Sequence, residues 1–375
     1  MSLIRCYRST ALGYRPLALL PAVSGDKPAM NPIYWLRGRW KRGAAMPQHV
    51  SETSIMEIFT GLDGLRRLPA GCVMTIGNYD GMHMGHRRLI EVCRSLLTNR
   101  SAGLGVVTFE PHPLTVLKPQ LAPPRLSPRT VKQQLLGESG VDFLVELPPA
   151  PEVLNLKAEQ FWALLRDQIR PTDLVEGDNF NFGKGRAGNI DRLRDWTADS
   201  DIRLHVVEPV TAVLLDLQEV AVSSSLIRWL LANGRVRDAA ICLGHAYVLE
   251  GLVIQGHQRG RTIGVPTANL DCGDLHFPAD GVYAARCTVD NRTWPAALSI
   301  GTLPTFGEYN RQVEAHLIGY DGNLYDRTLR VEVIDWLRDQ RKFANIEALK
   351  QKMREDIQIT IRLAEMDPAR AIAMA

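Results

Sequence analysis

Two histidines, His83 and His86, stand three residues apart in a polar, glycine-bearing stretch that runs from Thr75 to Arg88. Imidazoles at that spacing can face one anion, and Gly77, Gly81 and Gly85 let the backbone approach a ligand closely. No third ligand of suitable spacing lies nearby, which disfavours zinc. Ordinary surface histidines are the plain alternative. The flanking residues say what positions the pair. Cys72 to Ile76 is a short apolar run of the kind that makes a buried strand. Leu89, Ile90, Val92, Cys93, Leu96 and Leu97 then recur with a helical period that closes at Asn99 and Arg100. A second apolar run, Leu104 to Phe109, follows Gly103. Strand, glycine-containing loop, helix and strand make a βαβ unit. Its loop-to-helix junction points unpaired N–H groups outward, and the helix dipole adds partial positive charge there. Such a junction suits phosphate.

The string Gly-x-x-Asp-Gly-x-His-x-Gly-His over Gly77–His86 resembles the signature of the nucleotidylyltransferase superfamily, and specifically its flavin-adenylating branch. The resemblance implies that His83 and His86 hold the triphosphate of ATP. It assigns Gly77, Asn78, Asp80, Gly81 and Gly85 to the same nucleotide.

Further along, Thr108-Phe109-Glu110-Pro111-His112-Pro113 reads as a strand that two prolines stop and turn out over the sheet edge. In open α/β sheets, loops at the carboxyl ends of strands form the binding crevice. On spacing alone His112 reads as structural. The segment resembles one that lines the flavin side of bacterial flavin adenylyltransferases, which gives Phe109, Pro111 and His112 a flavin role. Pro123 to Ser127 reads as an irregular loop, Val131 to Glu138 as a helix stopped near Gly140, and Asp142 to Leu147 as a strand. Glu159 to Ile169 has helical periodicity, and Pro171 ends it. The run Val175–Gly188 is glycine-rich, basic and aromatic, either a flexible loop or one whose phenylalanines need a place to bury. It resembles the family's Gly-x-Asn-Phe-x-Phe-Gly motif, so Asn179 is expected on the nucleotide and Phe180 and Phe182 on the flavin.

Val222 to Arg228 reads by itself as a capped helix, with Ser223 or Ser224 at the cap and Leu226, Leu230 and Leu231 along one face. Asn233-Gly234 ends it. It is similar to the superfamily's Ser-Ser-Thr-x-x-Arg motif, with Ser225 for threonine and Leu226 where a basic residue is common. The resemblance puts Ser223 and Ser224 on ATP and Arg228 on the pyrophosphate leaving group. Adenylyl transfer needs no covalent intermediate, because the acceptor phosphate attacks the α-phosphorus directly. Positive potential from His83, His86, Arg228, the helix start and magnesium is then the expected source of catalysis.

From Tyr247 the texture changes. Tyr247–Ile254, Gly281–Val289 and Thr328–Ile334 are β-branched and aromatic runs between Gly, Pro, Asn and Asp turns, a pattern of a small β-barrel. A helix closes the region over Ile346–Ile361. The stretch Gly256–Leu270 is no Walker loop, yet it offers close-approach glycines, two arginines, and Thr267 with Asn269 as oxygen ligands for a hard cation. It resembles the riboflavin kinase signature. That assigns Gly260, Arg261, Gly264 and Pro266 to ATP, and Thr267 and Asn269 to Mg2+. Ile300–Phe306 and Val313–Leu317 match two more segments of that family. Glu314, alone a structural strand carboxylate, becomes by resemblance the general base for the ribityl hydroxyl. Ser299, Leu303 and Asp326 depart from the family's usual Asn, polar residue and Gly.

With 375 residues, 45% hydrophobic and 23% charged, the chain is ordinary globular material, long enough for two or three domains. A net charge of +3 gives no mandate for nucleic acid. Six scattered cysteines without a Cys-x-x-Cys pair suit a reduced, cytoplasmic protein, and no run is long enough for a membrane span. Residues 1–56 form a basic extension that reads as a disordered leader or as sequence upstream of a start at Met46 or Met56.

The expected architecture is an α/β nucleotidylyltransferase-like domain with a Rossmann-like parallel sheet over residues 57–240. A β-barrel riboflavin kinase domain with a closing helix follows over 241–365, then a tail over 366–375. The expected chemistry is flavin cofactor synthesis, with riboflavin, FMN and ATP as small-molecule substrates, in a monomer or weak homo-oligomer. The alternatives are an adenylyltransferase for another phosphorylated acceptor, or a non-catalytic flavin- or RNA-binding regulator.

Overall fold

A computed structural model describes residues 56–97, 102–255, 264–303 and 308–366. The basic extension, Gly260 and Arg261 lie outside those residues. Six short strands make the first sheet: β1 (Glu57–Thr60), β2 (Val73–Gly77), β3 (Leu104–Phe109), β4 (Phe143–Leu147), β5 (Asp173–Gly177) and β6 (Arg203–Val207). They are all parallel, in the order β1-β4-β3-β2-β5-β6. The four central strands are buried almost throughout, which is why they read as continuous apolar runs instead of alternating ones. Succession runs outward from β2 through β3 to β4, then returns to the other side of β2 at β5. The end of β2 is therefore the topological switch point, where open α/β sheets place their crevice. Helix α1 (Met84–Leu96) leaves β2 there.

Helix α2 (Arg129–Glu138) buries Val131, Leu135 and Leu136. The helix expected over Glu159–Ile169 divides in two. It is α-helical as α3 (Ala158–Ala163) and continues as a π-turn over Leu164–Ile169. Arg170, at φ +54, closes it by donating its N–H to the Leu165 carbonyl. That i→i+5 closure widens the last turn ahead of Pro171, which cannot extend any helix.

Two helices lead to the second region, α4 (Ser224–Ala232) and α5 (Val236–Leu243). Then come β7 (Tyr247–Ile254), β8 (Ala268–Asp271), β9 (Gly281–Val289), β10 (Arg292–Leu303), β11 (Glu308–Leu317) and β12 (Thr328–Arg338). They close a six-stranded antiparallel barrel in the order β7-β8-β11-β10-β9-β12. Helix α6 (Ile346–Glu365) packs on β9, β10 and β12. Arg286, on β9, donates Nε to the Ala364 carbonyl at 2.9 Å and Nη2 to the Met366 carbonyl. It thereby satisfies two acceptors that the end of α6 leaves open.

One hydrophobic cluster crosses between sheet region and barrel. Leu126, Leu230, Leu231 and Leu243, none more than 2% exposed, share it with Tyr247, Leu249, Leu270 and Leu275 of the barrel region. Each side chain of that size contributes ~1.5–3 kcal/mol on burial. The seam between the two regions is core, not linker.

Candidate active sites

The first site is built on the β2–α1 turn. Gly81 has φ +83, and a Cβ there would meet Leu126 and Leu243 side-chain atoms at 3.2 Å, so both conformation and space demand glycine. His83 is the N-cap of α1, and its Nδ1 accepts the His86 N–H at 3.4 Å. A Cβ on Gly85 would stand 3.2 Å from the His83 ring. Without it the ring folds back over the first helical turn and stacks on His86, with centroids 3.7 Å apart and planes at 16°. The two histidines singled out by spacing are thus face to face. Because His83 Nδ1 accepts, the N–H of a neutral His83 ring is on Nε2. His86 Nδ1 is buried and has no hydrogen-bond partner among the described residues; as Nδ1–H it can donate to an anionic ligand.

Burial pushes the His83 imidazole down to about 4, and it holds His86 well below the usual histidine range, with His83 and Lys132 adding to the effect. The pair is therefore uncharged at neutral pH. This changes the expected electrostatics: the histidines offer N–H donors, while Arg228, Lys132 and the helix start carry the positive potential. The same shift makes a stability prediction. An unfolded histidine titrates near 6.5, so between pH 6.5 and about 4 the unfolded chain binds the proton and the folded one does not. Stability falls as the pH falls through that window, by about 3 kcal/mol from His83 alone. Urea denaturation of His83→Gln should show a correspondingly shallower loss between pH 7 and 4.5 than the parent chain.

Asp80 belongs to this turn. Its carboxylate accepts the Leu126 N–H at 2.9 Å and the Ser127 N–H at 3.2 Å, and pairs with Arg228 Nη2. Burial pushes its pKa up, while the Arg228 charge and the two N–H groups oppose that. Arg228 also donates Nε to the Pro124 carbonyl at 2.8 Å. Ser223 caps α4 by accepting the Leu226 N–H, and Ser224 Oγ donates to the Asp80 carbonyl at 3.2 Å. Leu226 packs against the shared core. Asp80, Ser224 and Arg228 are thus joined in one network beneath the histidines. Asn78 sits over β3, its carbonyl accepting the Thr108 hydroxyl at 3.0 Å, and Gly77 ends β2. Asn179 follows β5 at the same end of the sheet and is exposed.

The residues expected on the flavin separate. Phe109 ends β3, and the Glu110–Pro111 peptide one residue beyond is cis. A cavity of about 330 Å³ opens there, at the carboxyl ends of β1, β3 and β4, lined by Thr60, Glu110, Pro111, Arg125, Arg129 and Glu146 among others. His112 Nδ1 accepts the Leu114 N–H at 3.1 Å, which fits the structural role that spacing suggests. Phe180 is half-buried and stacks on Phe182 at 5.6 Å. Phe182 itself is 7% exposed, wedged between Phe161 and Trp196. In this structure its ring is a packing element that anchors the loop.

Sequence reasoning passed over Lys132. It sits on α2, 5% exposed, with Nζ on Glu110 Oε2, and its charge acts on Asp80, His86 and His112. A helical lysine ordinarily reads as solvent-facing, and only the burial of Val131 beside it hints otherwise.

The second arrangement lies on the barrel. Register sets Asn269 of β8 against Glu314 of β11, and Glu314 against Ser299 of β10. Neighbours Ala268, Leu270, Val313, Ala315, Leu298 and Ile300 are buried while these three are half-buried, so alternation puts a polar row on the barrel's other face. Gln340 Nε2 donates to Ser299 Oγ at 3.0 Å from the segment after β12. His316, two residues from Glu314, donates Nδ1 to the Pro266 carbonyl at 2.7 Å and so fixes the turn that carries Thr267. Gly264 is exposed at φ +83. Asp326 keeps a left-handed φ of +61, a conformation Asp tolerates better than most residues.

Comparison with known proteins divides the chain in the same order. A family described as FAD synthetase matches residues 65–226, and one described as riboflavin kinase matches residues 243–364. The bifunctional riboflavin kinase/FMN adenylyltransferase of Pseudomonas fluorescens is 33% identical over 82% of this chain and 98% of its own length. That of Escherichia coli K12 is 33% identical over 80% of this chain and 96% of its own. Among solved structures, one described as a macrolide-efflux protein from Streptococcus pneumoniae superposes with a TM-score of 0.71 at 26% identity, covering 82% of this chain and 99% of that one. With both family segments present in one polypeptide, and relatives matched over nearly their whole length, the chain belongs to the bifunctional riboflavin kinase/FMN adenylyltransferase family.

Proposed function

We infer that this chain makes FAD from riboflavin in two steps at two sites. At the barrel, riboflavin and ATP give FMN and ADP. At the parallel sheet, FMN and ATP give FAD and pyrophosphate. The observation that carries the reading is the stacked His83–His86 pair over a helix start at the sheet's switch point, in a chain whose other matched segment is a separate barrel.

In the first site, the N–H groups of the β2–α1 turn and the two neutral imidazoles hold ATP, with Gly77, Asn78, Gly81, Gly85, Asn179, Ser223 and Ser224 around it. Asp80 acts through Arg228 and the Leu126–Ser127 backbone, and Arg228 meets the departing pyrophosphate. The cavity beside Pro111, lined by Glu110, Arg125, Arg129 and Glu146, takes the flavin, and Phe109, His112 and Phe180 remain its further assigned contacts. Catalysis is positioning plus preorganised donors, without a covalent step.

In the second site, Glu314 takes the proton of the flavin hydroxyl that attacks the γ-phosphorus. Gly260, Arg261, Gly264 and Pro266 border ATP. Oxygen donors suit a hard cation, and Thr267 and Asn269 are the residues that would hold Mg2+ with the ATP phosphates, where it neutralises their charge. We place the protein in the cytoplasm, as a monomer or weak homo-oligomer without a nucleic-acid partner. Among the described residues no helix is long and apolar enough to cross a membrane, and the five described cysteines are free and buried.

Incubating the purified chain with riboflavin and Mg–ATP and separating the flavins by chromatography tests this. FMN should appear first and FAD after it. Failure to form FMN, or failure to adenylate supplied FMN, overturns the corresponding half.

A further inference from the structure

Two histidines outside every motif reach from the barrel region into the first site. His245 lies between α5 and β7, and its Nε2 is 3.1 Å from the carbonyl oxygen of Gly81, in the phosphate turn itself. Its Nδ1 is 2.8 Å from the Ala246 carbonyl. Both partners are carbonyl acceptors and a neutral imidazole has one proton to give, so the Nε2–H tautomer serves Gly81 and the Nδ1–H tautomer serves Ala246. His276 lies between β8 and β9, and its Nε2 is 3.0 Å from the carbonyl oxygen of Arg228, which can only accept. The His276 backbone is itself pinned, its carbonyl accepting the buried Tyr247 hydroxyl.

The same short segment grips the loop between the two contacts. Arg125 and Leu275 form a parallel bridge: Arg125 N–H donates to the Asp274 carbonyl at 3.0 Å, and His276 N–H donates to the Arg125 carbonyl at 2.7 Å. Arg125 is followed by Leu126 and Ser127, whose N–H groups hold Asp80, and Ser127 Oγ accepts the Gly81 N–H at 3.1 Å. The phosphate turn, the Asp80 loop and the arginine helix are thus each tied to residues 245–276 of the barrel region.

We propose that His245 and His276 are positioning residues for adenylyl transfer, so that the barrel region is a working part of the first site. The inference rests on the two-site reading above. Neither side chain has been given a part in riboflavin phosphorylation, so that reaction serves as the internal control. Glutamine places an N–H close to where Nε2 of histidine lies, and alanine removes it.

The test is steady-state FAD formation from supplied FMN by the full chain and its His245→Ala, His276→Ala, His245→Gln and His276→Gln variants. Riboflavin phosphorylation is measured on each preparation. With alanine, kcat/KM for ATP in adenylation should fall about tenfold, the size of one lost hydrogen bond. KM for ATP should rise, KM for FMN should hold, and phosphorylation should stay within about twofold of the parent. Glutamine should restore most of the loss. Adenylation equal to the parent in the alanine variants overturns the proposal, as does a parallel fall of both reactions that glutamine does not repair. A parent chain that cannot adenylate FMN would refute the two-site reading instead.

Discussion

Replacing Glu314 with alanine should cut riboflavin phosphorylation by about 10²–10⁴, the usual worth of a general base, and leave adenylation of supplied FMN within about twofold. The carboxylate sits on β11 opposite Asn269, one strand pair from the turn that carries Thr267, so a hydroxyl held near bound ATP would meet it there. The residue is half-buried on the barrel's polar face, where truncation leaves no cavity in the core and costs little stability. Glu314→Gln separates two explanations. Glutamine keeps the shape and still donates and accepts hydrogen bonds, but it cannot take a proton at neutral pH. If Glu314 is a base, both variants lose kcat to a similar degree. If it only orients neighbours, glutamine recovers most of the rate. Quantifying FMN and FAD separately in initial-rate assays decides the matter, and a variant that loses both reactions equally would refute the division of labour.

How far this architecture could be read beforehand follows from how each element is buried. The runs at Leu104–Phe109, Tyr247–Ile254 and Gly281–Val289 mark the observed strands to the residue, because apolar or β-branched runs broken by glycine leave few alternatives. The edge strands of the first sheet were illegible. Glu57–Thr60 is four residues with one buried position, and Arg203–Val207 carries Arg and His with no buried position. Edge pairing, not composition, makes them strands. The histidine pair and its helix were visible as spacing, but its neutrality was not, since its burial, with the Tyr79 ring 4.9 Å from His86, is a property of the fold. Contacts such as Arg125 with Asp274, 149 positions apart in the chain, leave no trace in local pattern. Lys132, His245 and His276 were missed for that reason: each draws its meaning from a partner far away in sequence.

Arg228 carries the other large expected effect. Arg228→Ala should lower FMN adenylation by about 10²–10³, as loss of one preorganised donor to developing charge does, and riboflavin fed to the variant should stop at FMN. Among described residues its guanidinium is held by Asp80 and the Pro124 carbonyl, with the side chain only 15% exposed, so its place is set before ATP arrives. Burial lowers the Arg228 pKa and the Asp80 charge opposes that; the guanidinium remains charged at working pH because its ordinary value lies so high. Negative charge grows on pyrophosphate only as the α-phosphorus bond breaks. The loss should therefore fall on kcat, with KM for ATP little changed, whereas His86→Ala, which in the proposed site removes a donor to bound ATP, should raise KM as well. Lysine at position 228 should recover only part of the rate, since a compact ammonium lacks the planar fork that reaches Asp80 and the Pro124 carbonyl while facing a phosphate. Were Arg228→Ala to raise KM for ATP at constant kcat, the arginine would be a ground-state clamp and not the group that meets the leaving charge.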